Sequence, residues 1–113
     1  MSRILLVEDD PDQLSIRKLM LEAAGHTVAA ADSAETAIAA FGAGVDAVVM
    51  DLRLPHTENG LELIRRFRGV SPRVRIIVLS GWMPDFSGLP EAGLVSAWAA
   101  KPVSSRKLLE LLG

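Results

Sequence analysis

The chain contains no cysteine, which excludes disulfides and thiolate-held zinc or iron–sulfur centres. It has no long hydrophobic run either. The longest uninterrupted apolar stretch is Ala37 to Phe41, far short of the ~18–20 residues that span a bilayer. Met1-Ser2-Arg3 leads into apolar residues that stop at Glu8, too few for the ~7–15-residue apolar part of a secretory leader. A cytoplasmic chain with no membrane contact is expected. No sign of charge dominates. Twelve basic residues face fourteen acidic ones, a net charge of −2, so there is no field to hold nucleic acid or an anionic membrane. Arg65, Arg66 and Arg68 read as a solvated helix face. His26 and His56 lack metal-ligand spacing. No GxGxxG or GxxxxGK[ST] segment follows a strand-like run, so a ready-made phosphate cradle is missing. There is no linker, repeat or low-complexity stretch.

What is present is apolar content in two rhythms. Half of the 113 residues are apolar, which suits one domain over 1–113 with a real core. Ile4-Leu5-Leu6-Val7, Ala47-Val48-Val49-Met50 and Ile76-Ile77-Val78-Leu79 are short continuous blocks, with weaker ones at Val28 to Ala31 and Val95 to Ala100. Continuous rather than alternating apolarity predicts strands buried on both faces, as in a parallel sheet. Between them, Ile16, Leu19, Met20 and Ala23 form one helical stripe, Ala34, Ala37, Ile38 and Phe41 a second, and Gly60, Leu63, Ile64 and Phe67 a third. Asp10-Pro11-Asp12-Gln13 reads as a helix cap and first turn, and Ser33, Asn59 with Glu62, and Ser104 as further starts. Gly25, Gly42 and Gly69 sit where left-handed helix ends are common. Strand and helix alternating about five times predicts an α/β fold with helices on both faces.

In such sheets ligands bind beyond the carboxyl ends of the strands. Glu8-Asp9-Asp10 follows the first strand, Asp51 ends the third, Ser80-Gly81 ends the fourth, and Lys101-Pro102 follows the fifth. Neighbouring carboxylates at ~4 Å repel by about 4 kcal/mol at an effective dielectric of ~20, so either protons or a cation must join them. Hard oxygen donors at an open, wet edge suit Mg²⁺ better than an all-protein Ca²⁺ cage. A divalent ion would attract phosphate oxygens and keep a carboxylate ionised as a nucleophile. Lys101 would neutralise a phosphoryl group as a point charge, and Ser80 would donate a hydrogen bond to it. Asp10 reads as a helix cap, and Asp12 as a helix-dipole acid.

These segments resemble the receiver domain of two-component response regulators. Arg3 to Asp10 is similar to the family's opening strand and acidic pair. Val48 to Pro55 resembles its phosphoacceptor segment, and Asn59-Gly60-Leu61-Glu62-Leu63 the helix start that follows. Ile76 to Gly81 resembles the strand carrying a switch hydroxyl, and Ala100-Lys101-Pro102 the lysine segment. The resemblance covers essentially the whole chain. It implies a flavodoxin-like (βα)5 doubly wound parallel sheet of strand order 2-1-3-4-5. It implies that Asp51 accepts a phosphoryl group from a histidine kinase or histidine phosphotransfer protein, changing the surface for a downstream partner. Asp9 and Asp51 would ligate Mg²⁺ directly, Glu8 through water, and Arg53 through its backbone carbonyl. Lys101 would pair with the acceptor or its phosphoryl group, Ser80 would move onto that group, and Trp98 would turn inward. The Lys101–Pro102 bond is often cis in this family. Trp82, Gly81 and Pro102 would rim the pocket. The protein would be a monomer or weak dimer with no output domain in this chain, catalysing only its own phosphorylation and dephosphorylation.

Three features depart from the family pattern. The loop over Pro55 to Asn59 is one residue longer. The expected fourth helix falls on 83–93, where two prolines and two glycines predict a short or irregular segment. The last helix is brief. Arg53 and Trp82 lie two residues after the acceptor and the switch hydroxyl, positions that tune phosphoryl lifetime in the family. The expectation is that this large, partly cationic pair shields the acyl phosphate from water. Phosphoryl loss should therefore be faster in an Arg53→Ala, Trp82→Ala double variant, and equal or slower loss overturns the idea.

Two other functions compete. A degenerate receiver would act only as a binding module, but every acceptor residue is present. A haloacid-dehalogenase-type aspartyl phosphotransferase shares the carboxylate, Mg²⁺ and lysine logic. That family needs its nucleophile directly after the first strand, a following threonine, and a cap domain, and the sequence shows neither that threonine nor a cap.

Overall fold

The computed structural model describes residues 2–42, 44–52, 57–81 and 88–112, and of residues 57 and 58 the backbone alone. Five strands, β1 (Arg3–Val7), β2 (Thr27–Ala31), β3 (Ala47–Asp51), β4 (Arg75–Ser80) and β5 (Ala97–Ala100), form one sheet. All pairs are parallel, in the order β2-β1-β3-β4-β5. Helices α1 (Pro11–Ala23), α2 (Ala34–Ala40), α3 (Thr57–Val70) and α4 (Ser105–Leu112) connect and flank it. The expected doubly wound α/β order is therefore observed.

The continuous apolar blocks divide residue by residue between two cores. Leu5, Val7, Val48, Met50, Ile76 and Val78 point to one face and meet Ala37 of α2 and Leu63, Ile64 and Phe67 of α3. Ile4, Leu6, Ala47, Val49, Ile77 and Leu79 point to the other and meet Leu21 of α1 and Leu108 and Leu112 of α4. Successive strand side chains alternate faces, so a strand covered on both sides has no polar position to spare. Phe41 stacks on Phe67 with ring centroids 4.4 Å apart, closing the α2–α3 side.

The helix signals hold in part. Asp10 caps α1, its Oδ1 accepting from the Asp12 and Gln13 amides at 2.9 and 3.4 Å. Ser33 and Thr36 form a reciprocal capping box on α2, and the Ser104 hydroxyl accepts from the Lys107 amide. Gly25 ends α1 with φ 97°, and it alone of the three expected left-handed glycines takes a positive φ. Gly69 instead lies inside α3, which begins at Thr57, two residues before the Asn59 start read from the sequence.

The α1 stripe is a correction. Ile16 and Leu19 are 62% and 69% exposed, and Ala23 is exposed too. The helix instead buries Arg17 and Leu21, with Leu14 and Met20 packed at the margin. The phase is set by a charged residue. Arg17 turns inward because Glu8, itself buried, lies beneath it. An arginine at a buried position breaks the apolar period on which the sequence reading relied.

The expected fourth helix is replaced, in its described part, by a single 3-10 turn at Pro90–Leu94. Proline at the start and Gly93 within it favour a short tight turn over a longer helix. Residues 82–87 lie outside the description, as do Arg53 to His56. Among the described residues, no helix is long and apolar enough to cross a membrane.

Candidate functional site

The parallel register places four chain segments at one edge. Val7 lies opposite Met50, Asp51 opposite Leu79, and Ser80 opposite Ala100. The residues just beyond these rows share the carboxyl edge of the sheet. Two hydrogen bonds continue the ladder there: the Glu8 amide donates to Ala31 O at 3.0 Å, and the Lys101 amide to Ser80 O at 2.8 Å. The Lys101–Pro102 bond is cis.

Glu8, Asp9 and Asp51 converge at this edge, each offering a carboxylate oxygen within 4.8 Å of the others. Lys101 Nζ lies 2.6 Å from Asp51 Oδ2 and 3.4 Å from Glu8 Oε1. The Asp51 and Lys101 side chains are 12% and 28% exposed, so water can reach their pair. Ser80 is buried beside it at the end of β4. Gly81 and Pro102 are exposed at the rim. Trp98 stands on β5 opposite Val78 and is 36% exposed. Arg53 and Trp82 lie outside the described residues.

One residue in contact with the cluster was missed. Arg17 donates from Nη1 to Glu8 Oε1 at 2.6 Å, with both side chains at 10% exposure or less. The other Glu8 oxygen accepts from the Asp10 amide at 3.2 Å. The available signal was an arginine three residues from Leu14 and four from Leu21, on the row that faces the sheet.

The three carboxylates do not share one electrostatic fate. Burial pushes the Glu8 carboxyl up, but the Asp10 amide, Lys101 and Arg17 outweigh it and hold Glu8 below the usual carboxylate range. Asp9 goes the other way. Burial is the main cause, and a hydrogen bond to Glu8 and the charges of Glu8 and Asp51 add to it, so its carboxyl is raised. A carboxyl raised in the folded state adds stability that is full below its unfolded pKa and is lost as pH rises through the folded one. Ionised Asp9 thus opposes folding at neutral pH unless a cation joins it. In chelator-treated buffer, Asp9→Asn should melt a few degrees above wild type at neutral pH. The gap should shrink below pH ~3.9, the ordinary aspartate value, and an unchanged gap overturns the assignment.

The donor set fits a hard divalent cation. All three candidate ligands are carboxylates, they converge at an exposed edge, and two cationic side chains neutralise only part of their charge. Beside the cluster, Asp10, Gln13, Arg17, Lys101, Pro102 and Val103 line an open cavity of about 410 Å³.

Comparison with known proteins agrees with this arrangement. The family profile described as "Response regulator receiver domain" matches residues 4–112. The transcriptional regulatory protein GlrR of Escherichia coli is 30% identical over 98% of this chain, which spans 25% of that protein's length. A receiver domain protein from Clostridium thermocellum superimposes with a TM-score of 0.89 at 24% identity, covering 99% of this chain and 91% of its own; at that identity it supports the fold alone. The response regulator TrrA of Thermotoga maritima, solved in complex with Mg²⁺ and a beryllofluoride, gives a TM-score of 0.87 at 26% identity, covering 99% and 96%.

Proposed function

Because the chain belongs to the response regulator receiver domain family, we propose that Asp51 is its phosphoacceptor and that the protein is a signalling switch fed by a histidine kinase or histidine phosphotransfer protein. The observation that carries the reading is the meeting of three carboxylates with Lys101 at the carboxyl edge of the sheet. Asp9 and Asp51 would hold Mg²⁺ directly and Glu8 through water; the family resemblance adds the Arg53 carbonyl, which lies outside the described residues. When bound, Mg²⁺ neutralises charge on the incoming phosphoryl oxygens. The likeness to a receiver solved with Mg²⁺ and beryllofluoride supports this choice of metal.

The chain's own residues do the rest. Asp51 attacks the phosphorus of a phosphohistidine. The new P–O bond forms as the P–N bond breaks, and the electron pair returns to the imidazole ring, which takes up a proton. Lys101, already within 2.6 Å of Asp51, supplies a fixed positive charge where negative charge accumulates. Ser80 donates to a phosphoryl oxygen, and that shift leaves room for Trp98 to turn from its half-exposed place towards the sheet. Gly81 and Pro102, both exposed, form the described part of the rim. The surface change is read by a downstream protein.

The test uses a small donor. Acetyl phosphate with Mg²⁺ should add the mass of one phosphoryl group, and chelation should prevent it. No gain under either condition favours a binding module. Steady turnover of small phosphate esters would favour an aspartyl phosphotransferase.

A further inference from the structure

Arg17 has no part in the mechanism above, yet it is among the few charged side chains the fold buries. Its position is costly. Arginine is almost never buried unless paired, and here a helix gives up an apolar core position to hold it. Its partner is Glu8, the carboxylate assigned to the cation through water.

A carboxylate has about four acceptor positions. Glu8 spends three of them on Arg17 Nη1 at 2.6 Å, Lys101 Nζ at 3.4 Å and the Asp10 amide at 3.2 Å. Little capacity is left for an ion or its water. Arg17 also changes the charge of the group. Three carboxylates with Lys101 alone would carry two negative charges, and Arg17 reduces this to one.

We propose that Arg17 is a positioning residue that holds Glu8 back from the cation and so makes this receiver a weak Mg²⁺ site. The inference rests on the proposed function, and Arg17 acts only through Glu8. Arg17 also lines the open cavity beside Lys101 and Pro102, so a partner seated there can reach the Arg17–Glu8 pair from outside the phosphoryl pocket.

The experiment is calorimetric titration of the unphosphorylated chain with Mg²⁺ at fixed pH and ionic strength. Arg17→Met keeps the length and apolar stem and removes the charge. It should bind Mg²⁺ at least about fivefold more tightly, the size expected when a unit charge near a divalent site is removed. Arg17→Lys keeps the charge and should stay within about twofold of wild type on the same grounds. In the Glu8→Gln background, adding Arg17→Met should have little further effect, because the coupling runs through the Glu8 charge. A packing role would lower affinity or leave it unchanged, never raise it.

Thermal melts confirm that each variant is folded. If Arg17→Met does not fold, Arg17→Gln, which retains a hydrogen-bond donor, takes its place with the same expected gain. Wild-type binding with equal or weaker binding in the charge-removing variant overturns the inference and leaves the function standing. An equal gain with and without the Glu8 charge also overturns it, since Arg17 would then act directly on the ion. If neither protein binds Mg²⁺, the cation reading falls and the inference with it.

Discussion

An Asp51→Asn protein should take up no phosphoryl group from acetyl phosphate in the presence of Mg²⁺, while wild type gains one. The amide oxygen and nitrogen share the carboxylate's outline but not its charge or nucleophilicity, and that loss removes the covalent step outright. It also removes the strongest partner of Lys101, which lies 2.6 Å from Asp51 and 3.4 Å from Glu8. Lys101 should then turn fully to Glu8, so the fold survives. Relief of repulsion between Asp51 and its neighbours Glu8 and Asp9 offsets the lost ion pair, and the melting temperature should change by no more than a few degrees. Intact-mass spectrometry reads the first outcome and a thermal melt the second. A folded Asp51→Asn chain that still gains the phosphoryl mass would show that another carboxylate is the acceptor. Asp9, which shares the same edge, is the next candidate.

The parts of this site that were legible in the sequence are those fixed by strand topology. Once continuous apolar blocks mark the strands, of which β1, β3 and β4 are buried and the edge strands β2 and β5 largely exposed, Glu8, Asp9, Asp51, Ser80 and Lys101 must share an edge, because each follows or ends a parallel strand. No side-chain detail is needed for that step. Arg17 was not legible, because its burial depends on where one particular partner sits in space. The same cause misplaced the α1 stripe: Ile16 and Leu19 satisfy the helical period, but the pair formed by Arg17 and Glu8 sets the rotation of the helix. Gly42 and Gly69 fail for a related reason. Glycine permits a left-handed turn without requiring one, and only at Gly25 does the chain take it. The 3-10 turn at Pro90–Leu94, the described part of the expected fourth helix, was legible because proline and glycine act locally, whatever the tertiary surroundings.

Gly60→Ala should be the most destabilising single-methyl change in the described chain. The sequence reading placed Gly60 in the apolar stripe of α3, but the structure gives it a different task. A Cβ there would lie 1.9 Å from the Leu52 carbonyl oxygen and 2.7 Å from its carbon. Those are backbone atoms, so no rotamer change relieves the clash, and either α3 or the chain just after Asp51 must move. Overpacking of a close-packed site costs about 3 kcal/mol at the upper end of its usual range. For a domain of this size that corresponds to a fall in Tm of roughly 12 °C or more. Gly69→Ala, in the same helix, should have the opposite sign. Nothing lies within 4 Å of a Cβ at that position, and alanine is favoured over glycine in a helix by up to ~1 kcal/mol. The pair separates helix propensity from backbone approach, since both changes add one methyl to α3. Because Leu52 adjoins Asp51, the proposed acceptor, the Gly60→Ala protein that remains folded should also take up phosphoryl groups more slowly from acetyl phosphate. A Gly60→Ala variant that melts within a few degrees of wild type would mean that α3 does not pack against Leu52 as closely as the structure places it.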